Sequence, residues 1–374
     1  MLDYERRLGR NPTMQSKNEP TPSPGPLSGA RIIDLSAVVS GPMAAVVLAD
    51  QGAEVIKVEP PGWGDGVRYL GASRGGVSAI FSLINRNKKS LALNLKHPDG
   101  QAILMRLLAT ADGVMHNYRP GKMERLGLGY GSLREHFPDL IYLAISGMGD
   151  VGPYAGQKVY DYVIQGISGI LDAQGTHNRF EMVRTIIYDK VTALTAAQAM
   201  TAGLFNKAVG RGGTEIKVSM LDSSIYFNWP DLMWNESFIG EGVQYSGDLA
   251  DQYEVSETAD GAIVSHRLNG SVKDYDTETL LNLFAEHEIP AARVNSRADI
   301  RDDPQIIAQK TLRQVEHPLA GTLLQPRPPA RFGGDEFFPE DTSPALGDHT
   351  DEVLTELGYD QGAIGSFRAS GAIG

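Results

Sequence analysis

Arg31-Ile32-Ile33-Asp34-Leu35, then Met43-Ala44-Ala45-Val46-Val47-Leu48-Ala49-Asp50-Gln51 stopped by Gly52, then Glu54-Val55-Ile56-Lys57-Val58 before Pro60-Pro61: this stretch decides the fold. A short apolar run, a small-residue helical stretch and a second apolar run read as strand, helix and strand. Such a crossover makes the two strands parallel neighbours. Working outward, Ser90–Leu95, Gly113–Asn117, Leu140–Ile145 and Glu215–Met220 read as further strands. Asp99–Thr110 reads as a helix, with proline and an acid in its first turn at Pro98-Asp99. Tyr160–Leu171 and Lys190–Ala208 read as two more helices. Strands alternating with helices of this length predict an α/β fold, a Rossmann-like open parallel sheet, over residues 27–230.

The flanks read differently. Residues 1–26 carry five prolines and read as a flexible N-terminal extension. Beyond Pro230, short strand-like pieces such as Ala262–Val264 among acids and glycines suggest a second, smaller, shortened α+β domain over 231–325. The Pro326–Pro329 stretch reads as an extended connection into a C-terminal segment, 326–374, that returns to the large domain. Glu352–Leu357 reads as its helix, and the Gly- and Ala-rich end is expected to fray.

Composition narrows the function. Lys plus Arg number 34 and Asp plus Glu 46, so the net charge is −12, with 41% hydrophobic and 21% charged residues. That acidic balance argues against nucleic acid or an anionic membrane as partner. The absence of cysteine removes disulfides, thiolate metal sites and a Cys nucleophile together. No apolar run reaches the length of a membrane span, and the charged, Pro-rich start has no secretory apolar core. A cytoplasmic location is expected. The eight histidines are scattered without a metal-ligand spacing, so no metal site is expected.

Two motifs fail on context. The first strand–helix turn, Ser40-Gly41-Pro42, lacks the G-x-G-x-x-G of a dinucleotide site. Gly71-Ala72-Ser73-Arg74-Gly75 matches G-x-S-x-G, but no strand of adequate length precedes it, so it reads as a glycine-rich loop.

Charge patterning is more informative. Arg86, Lys88, Lys89, Lys96, Arg106, Arg119, Lys122 and Arg125 face only Asp99, Asp112 and Glu124, a basic island in an acidic chain. It reads either as a solvated basic face or as a pocket for a polyphosphate ligand at the sheet edge. Asp161 and Asp189 each enter a predicted helix. Both positions suit helix capping, and both suit a carboxylate held ionised by the helix N-terminus, the state a carboxylate nucleophile needs.

At these residues the sequence resembles the class III CoA-transferase family, which includes CoA-transferases and α-methylacyl-CoA racemase. The resemblance runs from about Leu27 to Phe227 and resumes near Ile289. Its blocks are Gly41-Pro42, Ala53–Pro60, Asn85–Ser90, Asn117–Gly127, Gly152-Pro153-Tyr154 and Arg211–Asp222. It implies that the polyanion is coenzyme A, delivered as an acyl-CoA, with a carboxylic acid as second substrate and an interlocked homodimer as the assembly. By position, Leu93 and Lys96 would meet the adenosine end, Arg125 a phosphate, and Asn117 and Lys158 the cleft. Val38 would lie beside the thioester, with Val39 next to it. Val39 replaces a glutamine of formyl-CoA transferase and Pro60 an arginine, so that enzyme's substrate preference does not carry over.

The resemblance also implies that Asp189 is the nucleophile and Asp161 a supporting acid. Tyr160 stands where the racemase branch has an acid/base histidine. A phenol, with an ordinary pKa of about 10, is poorly matched to proton shuttling at neutral pH. The reading is therefore CoA transfer through an aspartyl-CoA thioester. The alternatives are an acyl-CoA racemase or epimerase, and a CoA-binding homologue without catalysis, which the short interval between Ala262–Val264 and Ile289–Ser296 keeps open. Backbone N–H groups near Gly41 are a candidate oxyanion site.

Overall fold

The structure, a computed structural model, describes residues 25–175, 179–332 and 342–374. Residues 1–24 of the expected lead-in, and His177, lie outside the described residues. Six parallel strands form the central sheet: β1 (Arg31–Asp34), β2 (Glu54–Glu59), β3 (Lys88–Ala92), β4 (Gly113–His116), β5 (Ile141–Ser146) and β6 (Glu215–Ser219). Their spatial order is β3-β2-β1-β4-β5-β6. This is the 3-2-1-4-5-6 order of a doubly wound sheet, which reverses between β1 and β4. A crevice opens beyond the strand ends at such a reversal.

Both faces of the sheet are covered, so the strands carry apolar side chains on both. Ile33, Ile56, Val58 and Val114 pack on one side, in a cluster with Ile103, Leu104 and Leu107. Those three leucine and isoleucine positions belong to helix α2 (Pro98–Leu108). Ile32, Val55, Met115 and Leu143 alternate to the other side and meet Ala44, Leu48, Ala193, Ala196 and Ala197. These come from α1 (Ser40–Ala49) and α4 (Ile187–Ala208), two helices whose small residues allow close approach. Between them in sequence lies α3 (Asp161–Ile167). It stops earlier than the expected 160–171 helix because Gly169 takes φ +85 and restarts a separate turn, Ile170–Gln174. α5 (Met220–Leu232) follows β6 directly.

A second sheet contains β7 (Tyr253–Glu257), β8 (Ala262–His266) and β9 (Ala291–Arg293), all antiparallel. Helix α6 (Thr277–Glu286) closes it through Leu280 and Phe284 on Ile263. β10 (Leu312–His317) and β11 (Gly321–Pro326) form a hairpin. The G-x-S-x-G segment is also a hairpin, Ser73–Arg74 pairing Val77–Ser78 with Ser73 exposed, and it is no nucleophile elbow.

The chain end corrects the expectation of fraying. After α7 (Thr350–Glu356), α8 (Gln361–Ser370) carries Ile364 into the main core, and Ala372 and Ile373 are buried. Ile373 bridges Leu93, and Gly374 N donates to Ala92 O. Two backbone contacts and an apolar anchor outweigh the low complexity of the last residues. Among the described residues, no helix is long and apolar enough to cross a membrane.

Candidate functional site

An open cavity of about 250 Å³ lies at the sheet reversal. Its walls come from the ends of three strands: Ala37–Ser40 after β1, Asn117–Pro120 after β4, and Ile145–Gly147 on β5. Lys158, Tyr160 and Asp189 complete it. Six of the ten expected site residues therefore share one cavity: Val38, Val39, Asn117, Lys158, Tyr160 and Asp189. Lys158 Nζ sits 5.1 Å from the centre of the Tyr160 ring, a cation–π distance.

Asp189 lies in the first turn of α4, and Asp161 opens α3. The helix α4 has no side-chain cap of its own at Ile186. Asp161 supplies one from another helix: its Oδ1 accepts from Tyr188 N at 2.7 Å and Asp189 N at 3.1 Å. Its Oδ2 accepts from Gln165 Nε2 at 2.6 Å. Capping thus belongs to Asp161, which is 4% exposed. The Asp189 carboxylate is left without a hydrogen-bond partner among the described residues. Burial, and then the neighbouring Asp161 charge, push the Asp189 carboxyl up to about 6. The helix end does not supply the expected N–H support to this carboxylate, because Tyr188 N and Asp189 N donate to Asp161 instead. At pH 7 a carboxyl of that pKa is ionised in about nine molecules of ten.

The opposite wall is tied down. Ser36 N donates to Asp34 Oδ1 at 2.9 Å. Ser36 O accepts from Lys57 Nζ at 2.9 Å. Asn117 clamps Ala37 at both ends, Oδ1 accepting from Ala37 N at 2.9 Å and Nδ2 donating to Ala37 O at 2.6 Å. Val38 N donates to both Asp65 oxygens at 3.1 Å. Under the loop lie two ion pairs, Lys57–Asp65 at 3.0 Å and Asp34–Lys88 at 2.9 Å, with every side chain at most 1% exposed. Burial works against the Lys57 charge, yet Asp34, Asp65 and Glu59 hold its ammonium above the ordinary value. Burial outweighs Asp34 at Lys88 and brings it down to about 8. Gly41 is not in the lining: a β-carbon there would overlap Ser36, so this glycine serves the close approach of helix and loop.

The basic island divides in two. Arg86 pairs with Asp50 at 2.5 Å, Lys88 with Asp34, and Lys89 with Glu54 and Glu352. Arg106 stacks on Tyr359. These four serve the fold. Lys96, Arg119, Lys122 and Arg125 have no ion-pair partner among the described residues. Burial, and then the charges of Lys96 and Arg125, lower the Lys122 ammonium, so the three cations act on one another. Its Nζ lies 3.7 Å from the Tyr118 ring centre. Such a cluster suits the phosphate end of a polyanion. Leu93 lies outside the cavity, its side chain 1% exposed and packed in the core; Lys96 and Arg125 also lie outside the lining.

Sequence reasoning missed Asp34, Lys57 and Asp65. A signal existed for two of them. Asp34 and Lys57 stand within apolar strands of a sheet covered on both faces, where a charge requires a partner. Of the histidines, His116 is buried against Tyr142 Oη at 2.9 Å, and burial lowers it to about 4. His317 accepts from Leu319 N and Ala320 N. Both serve structure.

With the geometry in place, relatives can be compared. The description "CoA-transferase family III" matches residues 27–266 and 247–350. The chain is 31% identical to succinyl-CoA:glutarate CoA-transferase of Homo sapiens, across 93% of this chain and 90% of that one. It is 31% identical to succinate–glutarate CoA-transferase of Agrobacterium fabrum, across 89% and 96%. A CAIB/BAIF family protein from Brucella suis superposes with a TM-score of 0.79 at 26% identity, covering 90% of this chain and all of that one. Matches that span both the six-stranded sheet and the later antiparallel sheet leave one conclusion: the chain belongs to CoA-transferase family III.

Proposed function

We propose that the protein transfers coenzyme A between carboxylic acids through a covalent thioester on Asp189. Family membership makes it a CoA-transferase; the route through Asp189 is our reading. One observation carries it. The Asp189 carboxylate lines the switch-point cavity without a hydrogen-bond partner among the described residues, while the neighbouring Asp161 spends both oxygens on structure.

The exchange then balances in four steps. The Asp189 carboxylate attacks the donor thioester carbonyl; a C–O bond forms, the C–S bond breaks, and CoA leaves as thiolate from a mixed anhydride. The thiolate attacks the aspartyl carbonyl and releases the donor acid as carboxylate, leaving aspartyl-CoA. The acceptor carboxylate attacks that thioester, forming a second anhydride and freeing the thiolate. Attack of the thiolate on the acceptor's acyl carbon completes the new acyl-CoA and restores Asp189. No proton is gained or lost, so the site needs no acid/base residue. This suits Tyr160 where a racemase would need a base. Both intermediates hydrolyse, so the cavity must exclude water during turnover.

The residues fit this substrate. The cavity takes the thioester end beside Val38, and the Lys96, Lys122 and Arg125 cluster suits the phosphates. For the acids, we propose short dicarboxylates. The relatives from Homo sapiens and Agrobacterium fabrum are named for succinate and glutarate, and Arg119 and Lys158 line the cavity without an ion pair among the described residues. The interlocked homodimer is part of the same proposal. It is supported by exposed apolar side chains along and after α5, Tyr226, Phe227, Phe238 and Ile239.

The test is isotope exchange. Labelled succinate mixed with succinyl-CoA, with no second acid present, should exchange label into the thioester, and labelled glutarate should yield labelled glutaryl-CoA. α-Deuteration of the acyl group in heavy water without any CoA exchange would contradict the proposal.

A further inference from the structure

Val38 is a β-branched residue at φ +68, in the left-handed region that such side chains avoid. Nothing local imposes this. Its neighbours are Ala37 and Val39, and its side chain is 38% exposed at the cavity. Strain of this kind persists only where the surroundings over-determine it. Here the surroundings are specific. Asp65 grips Val38 N with both oxygens, while Asn117 fixes the preceding peptide. Lys57 bonds to Asp65 and to Ser36 O together, tying the grip to the loop it holds.

Asp65 is itself braced. Gly62 and Gly64, at φ +77 and +68, turn the chain back after β2. Asp65 N donates to Glu59 Oε2 at 2.9 Å, and Arg68 Nη2 meets Glu59 Oε1 at 2.7 Å. Asp65 also caps the next turn through Val67 N at 3.1 Å, and Glu59 accepts from Ser90 Oγ at 2.9 Å, so the brace under Val38 is anchored to the rest of the sheet edge. A pair fully buried for stability alone is a poor investment, since apolar side chains of similar volume do as well. A pair that fixes a strained loop at a reaction cavity has a different use.

We infer that the buried Asp65–Lys57 pair is a strut that holds Val38 in the left-handed conformation and so sets the wall facing Asp189. Asp65 and Lys57 are positioning residues. They act through the loop and do not themselves line the cavity. The kinetic side of this inference rests on the proposed reaction at Asp189. A thioester pressed against that wall reaches Asp189 at attack distance only while the wall stays put, and errors near an ångström cost rate more than binding.

The test pairs two substitutions. Asp65→Ala releases the grip, and Val38 then relaxes to negative φ. The expected loss in kcat is about tenfold, the population penalty of an L residue in that region, with KM for acyl-CoA changed less than about threefold. Glycine bears no such penalty, so in a Val38→Gly background the same Asp65→Ala change should cost less than about threefold. An equal cost in both backgrounds would overturn the strut, because a general loss of stability does not depend on residue 38. A crystal structure of Asp65→Ala gives a readout without turnover. Val38 should leave the left-handed region, and a φ still near +68 refutes the inference even in a protein that exchanges no CoA. Absence of exchange in the unaltered chain would instead count against the proposed function. If Asp65→Ala does not fold, Asp65→Leu with Lys57→Met fills the same space with apolar groups, and both readouts apply to it.

Discussion

The two walls of the cavity are built on opposite principles. On the β1 side, consecutive backbone groups from Ser36 N to Val38 N are each bonded to a side chain from elsewhere. On the α4 side, the backbone is held by Asp161, and the Asp189 carboxylate has no hydrogen-bond partner among the described residues. The first wall has its polar groups satisfied and resists movement; the second keeps one charged group partly desolvated and unpaired. An unpaired, half-buried carboxylate is costly, and it is also a better nucleophile than one wrapped in N–H donors. The contrast teaches which acid to suspect: satisfied Asp161 suits structure, and unsatisfied Asp189 suits the proposed chemistry.

The sharpest way to break this contrast is to exchange the fates of the two acids. Asp189→Ala should lower CoA exchange by about 10³-fold or more, because no other group in the cavity replaces the nucleophile. Asp161→Ala should lower kcat about tenfold while a covalent intermediate still forms. It also uncaps α4, at a cost of about 1–2 kcal/mol read in chemical denaturation. A larger kinetic effect at Asp161 than at Asp189 would reverse the assignment.

A change at the phosphate cluster should leave the contrast untouched. Arg125→Ala is expected to raise KM for acyl-CoA about tenfold with kcat within about threefold. A kcat effect larger than the KM effect would place that cluster nearer the reacting atoms.

The smallest expected effect is in pH dependence. Activity through Asp189 should fall on the acid side with an inflection at about 6. Asp161→Asn removes the neighbouring negative charge and should move that limb to lower pH. The sign for stability follows from the same shift. The folded carboxyl, at about 6, lies above its ordinary value near 4. The folded state therefore binds the extra proton, and this contribution is lost as pH rises from about 4 through 6. Unfolding titrations of the unaltered protein and Asp189→Asn should differ in slope only within that window.

Much of the fold was legible because strand and helix periods are local. β1, β2, α2, β4, β5 and β6 stand within a few residues of where their apolar runs place them. What escaped depends on contacts far apart in sequence. Ile373 is ordered by Leu93, and Gly169 ends a helix whose apolar pattern continues past it. The basic island looked uniform in sequence, yet half of it pairs with acids or an aromatic ring elsewhere in the chain. The N–H support expected for the Asp189 carboxylate is missing for the same reason: Asp189 N donates to a residue 28 positions earlier. The left-handed Val38 carries no sequence signal, since its cause lies in Asp65 and Lys57.

The most direct test of the central claim is mass spectrometry of the protein after incubation with succinyl-CoA alone. The expected result is a coenzyme A adduct on the peptide carrying Asp189, absent from Asp189→Ala and present in Asp161→Ala. An adduct on the Asp161 peptide, or steady CoA exchange without any protein-bound thioester, would contradict the account.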